Sequence, residues 1–244
     1  DASDLEDFNR FRLAAPYIFP IHYHRRVHLQ QDYQRYLSCS IVYDLGLAVI
    51  DKKGNVYETY SFVIRESFFG MRDVMKTAYY AEKIPQYRQD IRNKTRQVVS
   101  FVEAKLVLRD IMEKYHTNVV CAHNALFDYK ALTTTQRYFT KSAYRYFFPY
   151  NTEFWDSLKM ARSVMGQMPT YKRFCQENGY MTKHKKPQCR FTAEICYRYI
   201  INDTNFTECH TGLEDVLIEA KIVAYCIRQH KKMNKLLFNK TEKN

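Results

Sequence analysis

Glycine and proline are scarce in this chain, six of each in 244 residues. Nothing reads as a low-complexity linker or an internal repeat. A chain of this length with so little punctuation suits one α/β domain with a substantial core. Long apolar runs are also missing: no stretch reaches the roughly eighteen residues of a membrane-spanning helix. Residues Asp1 to Asp7 are acidic and lack the basic-then-apolar layout of a secretion signal, which points to the cytoplasm. The seven cysteines include no C-x-x-C pair. Cys175, Cys189 and Cys196 with His184 fit no standard zinc spacing. The thiols read as reduced, mostly buried small apolar groups.

Acidic residues are in deficit, 26 against 38 Lys and Arg, for a formal charge of +12. That excess favours polyanionic partners. It gathers in Lys183-His184-Lys185-Lys186, in Arg228-Gln229-His230-Lys231-Lys232 and between Arg88 and Arg96. Solvated faces and a frayed basic tail after Lys231 account for part of it. Twenty-one Tyr and sixteen Phe interleave with these cations, a combination suited to stacking on unpaired bases. Most of those aromatics are needed for the core.

The chain opens with an irregular or helical lead over residues 1–16, then a short strand candidate, Tyr17-Ile18-Phe19, stopped by Pro20. Residues 22–36 lack periodicity. Order returns at Cys39. Ser40 to Ile50 is β-branched and strand-like, Asp51-Lys52-Lys53-Gly54-Asn55 is a turn, and Val56 to Ile64 alternates, which predicts a hairpin. Helical spacing marks 73–83 and 97–115, the latter with Val98, Phe101, Val102, Leu106, Leu108 and Ile111 on a broad face. A strand at Val119–Ala122 and a helix follow. Further helices are predicted at 154–165, 170–178 and 191–201. A last one runs from Asp215 to about Lys232, with Leu217, Ile218, Ile222, Val223, Tyr225 and Cys226 as core candidates. This order fits an α/β layout.

Two runs carry the chemistry. Ala122-His123-Asn124-Ala125-Leu126-Phe127-Asp128 follows an apolar strand and sets Asp128 about one turn into a helix. Cys209-His210-Thr211-Gly212-Leu213-Glu214-Asp215 opens another helix with His, four residues, Asp. Phosphodiester cleavage needs phosphate charge neutralised and a water activated, and two divalent ions about 4 Å apart supply both. Magnesium takes hard oxygen ligands, so carboxylates must build such a site. Near a helix start, the dipole helps keep Asp128 and Asp215 ionised. A histidine one turn before Asp215 suits a general base, since its pKa lies near neutrality. His123 and Asn124 shape the entry into the first helix, and Phe127 anchors that helix.

Together the two runs resemble the second and third motifs of the DEDDh 3'–5' exonucleases, the family of the DNA polymerase III epsilon subunit and ribonuclease T. The resemblance spans about residues 39–232. It leaves residues 1–38 as an irregular N-terminal segment and 233–244 as a basic tail. The segment Ala78-Tyr79-Tyr80-Ala81-Glu82-Lys83-Ile84-Pro85 gives a phage-encoded look, which would place the protein in a bacterial host's cytoplasm. The resemblance implies a ribonuclease H-like α/β fold, a mixed central sheet flanked by helices. It implies Asp128 and Asp215 as ligands of two Mg²⁺ or Mn²⁺ ions and His210 as the base. His123, Asn124 and Phe127 then contact the substrate, single-stranded DNA or RNA. A DNA polymerase or replication complex is a candidate partner. Oligomeric state is left open.

The family's first motif, Asp-x-Glu at the end of strand one, is not in place. Pro20 and His22 follow Tyr17-Ile18-Phe19, and neither replaces a bridging carboxylate. Asp4, Glu6 or Asp32 could be recruited from an unusual position. Otherwise the chain is a catalytically inactive relative that binds nucleic acid, or the region before residue 39 is altered, for instance by a frameshift. A rival reading takes His22-x-His24, with His28 nearby, as ligands of a barrel metallohydrolase. No (β/α)₈ rhythm supports it.

Overall fold

The computed structural model describes residues 12–14, 41–76, 78, 81–140 and 146–238. Its strands are β1 (Arg12–Ala14), β2 (Asp44–Ile50), β3 (Val56–Ile64), β4 (Gln97–Val99), β5 (Val119–Ala122) and β6 (Glu153–Asp156). They form one sheet in the order β4-β3-β2-β1-β5-β6. The hairpin expected from the sequence is β2 and β3, antiparallel from Asp44↔Val63 to Ile50↔Val56. Its turn is built by Asp51, whose carboxylate accepts the N–H groups of Lys53 and Asn55 at 2.8 and 2.9 Å. Gly54 supplies the residue with φ +86° that an L side chain would resist.

β1 runs antiparallel to β2 and parallel to β5. β5 is parallel to β6, and β3 to β4, so the sheet is mixed. The sequence reading left Arg12–Ala14 inside an irregular lead, yet this segment holds the central place in the sheet. Three residues are too few to display the period of two that marks a strand. Tyr17–Phe19 lie outside the described residues.

The helices are α1 (Arg65–Phe68), α2 (Arg72–Lys76), α3 (Ile84–Arg92), α4 (Phe101–Lys114), α5 (Ala125–Thr140), α6 (Ser157–Val164), α7 (Pro169–Glu177), α8 (Ala193–Ile201) and α9 (Gly212–Arg228). α4 starts at a capping box: Ser100 Oγ accepts from Glu103 N, and Glu103 accepts from Ser100 N. Phe101, Ala104, Leu108, Ile111 and Met112 form its buried face. Val102 and Leu106, expected on that face, are 48% and 42% exposed. They sit one and five residues past Phe101, outside the stripe that faces the core.

One apolar cluster joins β2, β3, α4 and α5, and a second joins β2, β5, α6, α8 and α9 on the other face. α9 buries Val216, Ile218, Ile222 and Val223, each worth about 1.5–3 kcal/mol. Leu217 and Tyr225 sit only at the margin of that cluster. The stretch after Lys231, expected to fray, instead closes the sheet edge in part. Asp156 N donates to Lys235 O and Leu237 N to Phe154 O, at 2.8 and 2.9 Å. An open strand edge leaves such groups unpaired, and Leu236 and Leu237 add apolar contacts with the core. Among the described residues, no helix is long and apolar enough to cross a membrane.

Candidate active site

β5 and α5 deliver the first carboxylate. β5 ends at Ala122, and the chain turns at Asn124 with φ +66°, a conformation asparagine tolerates better than most residues. Asn124 N donates to Asp156 Oδ1 at 3.0 Å, which ties this turn to the end of β6. Asp128 then falls in the first turn of α5. It is 6% exposed. Burial, with the charge of Asp156 added, pushes its carboxyl well above the usual carboxylate range.

α9 delivers the second. Its N-terminus is fixed from β2: the Asp44 carboxylate accepts Gly212 N at 2.7 Å, Arg96 Nη1 at 2.7 Å and Tyr87 Oη at 2.5 Å. Two glycines let the backbones meet, since a Cβ on Gly46 would run into the Gly212 carbonyl and Leu213 N. Asp215, in the first turn, is fully buried. Neither of its carboxylate oxygens has a hydrogen-bond partner. Burial, then the nearby charges of Glu208 and Asp44, push its pKa up to about 10.

His210 precedes α9 with φ +51°. Lys83 Nζ donates to the carbonyls of Cys209 and His210, which holds this turn. The His210 side chain is 34% exposed, with Nδ1 3.6 Å from Glu208 Oε2. Burial and the Lys83 charge lower its pKa, so the ring is neutral at neutral pH. Among the described residues, Glu208, His210 and Asp215 form the one group of this kind whose ligand atoms lie within 4.8 Å of one another. No such group joins Cys175, Cys189, Cys196 and His184; Cys175 and Cys196 are buried and His184 is exposed.

Two carboxylates at this site went unread in the sequence. Glu208 stands two residues before His210 and is 7% exposed. Glu219 stands four residues after Asp215, hence on the same face of α9, and is 1% exposed. Its pKa is raised well above the usual range by burial, then by the charges of Asp128, Asp215 and Glu208. Glu219 therefore lies between the two expected ligands. A glutamate in a helix ordinarily faces water, and only the four-residue spacing from Asp215 hinted otherwise.

His123 is committed to structure. Its Nε2 donates to Phe191 O at 2.7 Å, and its Nδ1 lies 2.9 Å from Ser157 Oγ. Burial pushes its pKa down. It nevertheless lines a cleft of ≈ 1450 Å³ together with Asn124, Phe127, Asp128, Glu208 and His210. Arg162, Lys172 and Arg190 line the same cleft. Phe127 faces both ways, partly packed on the core as well. Asp4, Glu6, Asp32, His22, His24 and His28 lie outside the described residues.

No protein-family model and no curated protein matches the chain. Solved structures do. A 3'-exonuclease described by its 3'-end-specific recognition of the histone mRNA stem-loop superposes with a TM-score of 0.53 at 9% identity, over 92% of this chain and 66% of that one. A full-length 3'-exonuclease superposes with a TM-score of 0.50, also at 9% identity, over 92% of this chain and 62% of the other. The fold is of the DEDD exonuclease kind. The chain spans less than two thirds of the length of each of these exonucleases. S. pombe Pop2p, in an Mg²⁺- and Mn²⁺-bound form, aligns at 15% identity with a TM-score of 0.45, over 91% of this chain and 84% of that one. In this DEDD-type fold β1 is the central strand, and here it reads Arg12-Leu13-Ala14, with no acidic residue.

Proposed function

We propose that the protein is a divalent-metal-dependent 3'–5' exonuclease of the DEDDh type, acting on single-stranded DNA or RNA. Asp128 and Asp215 serve as metal ligands and His210 as general base. The observation that carries this reading is the Asp215 carboxylate: buried, with no hydrogen-bond partner on either oxygen, beside Glu208 and His210. A buried charge without a partner costs several kcal/mol, and a hard cation is the partner that carboxylate oxygens suit. The residues present thus fit Mg²⁺ or Mn²⁺. Two such ions, when bound, would offset phosphate charge and make a water more acidic.

The chain's own groups do the rest. His210, neutral and partly exposed, can accept a proton from the attacking water through its ring. Glu208, 3.6 Å from its Nδ1, orients that ring and steadies it once protonated. Arg162, Lys172 and Arg190 on the cleft wall hold the phosphates of the strand, and Phe127 offers a face to a terminal base.

A second reading has its own observation. β1 lacks carboxylates, which favours an inactive relative that binds nucleic acid without cutting it. One assay separates the two: a 3'-labelled oligonucleotide incubated with Mg²⁺ or Mn²⁺, with and without chelator. Release of labelled mononucleotide that chelator abolishes is the expected result. A retarded but intact strand would establish the binder.

A further inference from the structure

The sequence leaves the first strand without its acidic pair, and the fold shows what stands beside the gap. β1 pairs in parallel with β5, Ala14 opposite Cys121, so the two strands end nearly level. Two residues past Cys121, His123 N donates to Glu219 Oε2 at 3.0 Å. The Glu219 carboxylate is thus pinned at the C-terminal end of β5, next to where β1 ends. α9, which carries it, packs against both β1 and β2.

We infer that Glu219 supplies from α9 the carboxylate that β1 lacks, as a third oxygen ligand for a divalent cation held with Asp128 and Asp215. The inference rests on the metal-dependent reading above. Asp215 and Glu219 are four residues apart and project from one helix face, so a single rigid element presents both. Glu219 is 1% exposed and faces the charges of Asp128, Asp215 and Glu208. The group working in its favour is the His123 N–H. One hydrogen bond of this kind contributes about 1.5–3 kcal/mol, which does not offset confining several carboxylates together away from water. A cation among them does. The two unpartnered oxygens of Asp215 are an independent sign that the cluster is shaped around something outside the chain.

The test is Mn²⁺ binding, read by calorimetry and by the rise in Tm on adding Mn²⁺ to the chelated protein. Wild type is expected to bind Mn²⁺, and Asp215→Asn to lose most of that binding. Glu219→Gln keeps an acceptor for His123 N, so it is expected to fold, with a Tm in chelator equal to or above wild type. Its Mn²⁺ affinity is expected to fall by roughly 10–100-fold, the scale reached even by groups that only orient ligands. Glu219→Asp, with its charge kept and its reach shortened, is expected to fall in between and covers the case in which the glutamine variant misfolds. If Glu219→Gln binds Mn²⁺ as wild type does while Asp215→Asn does not, the role given to Glu219 is wrong and the exonuclease reading stands. If wild type binds no Mn²⁺, both are wrong.

Discussion

The His210 backbone, at φ +51°, costs on the order of 1–3 kcal/mol for a non-glycine residue. Lys83, donating to the carbonyls on either side of the Cys209–His210 peptide link, holds it there. The imidazole is thereby fixed beside Asp215 and left partly open to the cleft. His210→Ala removes the base and none of the proposed carboxylate ligands. It is expected to lower kcat by about 10²–10⁴-fold while Mn²⁺ affinity stays near wild type, measured by single-turnover cleavage and calorimetry on one preparation. The carboxylates set a second expectation. Asp128, Asp215 and Glu219 all have pKa values raised on folding. A carboxyl so shifted contributes stability that is complete below its unfolded pKa of about 4 and is lost as pH rises through the folded value. For Asp215 that folded value is about 10. In chelator, Tm should therefore fall steadily as pH rises from about 5 to about 9, and saturating Mg²⁺ should flatten the slope. A Tm in chelator that is level or rising over that window would contradict this.

Among the elements, α9 is set by its first residue. Gly212 touches Gly46 on β2 through the backbone, and Asp44 caps the same spot through Gly212 N. Gly46→Ala would drive a methyl into the Gly212 carbonyl. It is expected to cost roughly 1–3 kcal/mol or more, the range for overpacking, seen as a lower urea midpoint, and to reduce cleavage by displacing Asp215. The β2–β3 hairpin, the helix after β5 and α9 itself were legible in the sequence, because each is long enough to show its period and each begins at recognisable punctuation. β1 was not: at three residues it has no periodicity, and its place in the sheet comes from pairing on both sides. Lys235–Leu237 were misread for a related reason, since a sheet edge recruits them and nothing local does. Asp128, His210 and Asp215 could be read from motif spacing alone. Glu208 and Glu219 could not, because a carboxylate's burial is decided by the elements that close over it.

Across the whole molecule, two opposite charge distributions meet at one cleft. The chain carries a formal charge of +12, and Arg162, Lys172 and Arg190 bring part of it to the cleft wall. Asp128, Asp215, Glu208 and Glu219 concentrate negative charge, buried, at the junction of α5 and α9. A cationic wall attracts a polyanionic strand along its length, and the acidic junction marks where cations would gather at its end. β1 adds no acid to that junction, so the helices must hold the cations. The most direct measurement is a crystal of the full chain soaked in Mn²⁺ and recorded at the manganese absorption edge. The expected result is anomalous density between the Asp128 and Asp215 carboxylates, with Mn–O distances near 2.1–2.2 Å, about those of hard-cation sites. Density absent from that position, with the carboxylates still packed on one another at saturating Mn²⁺, would contradict it.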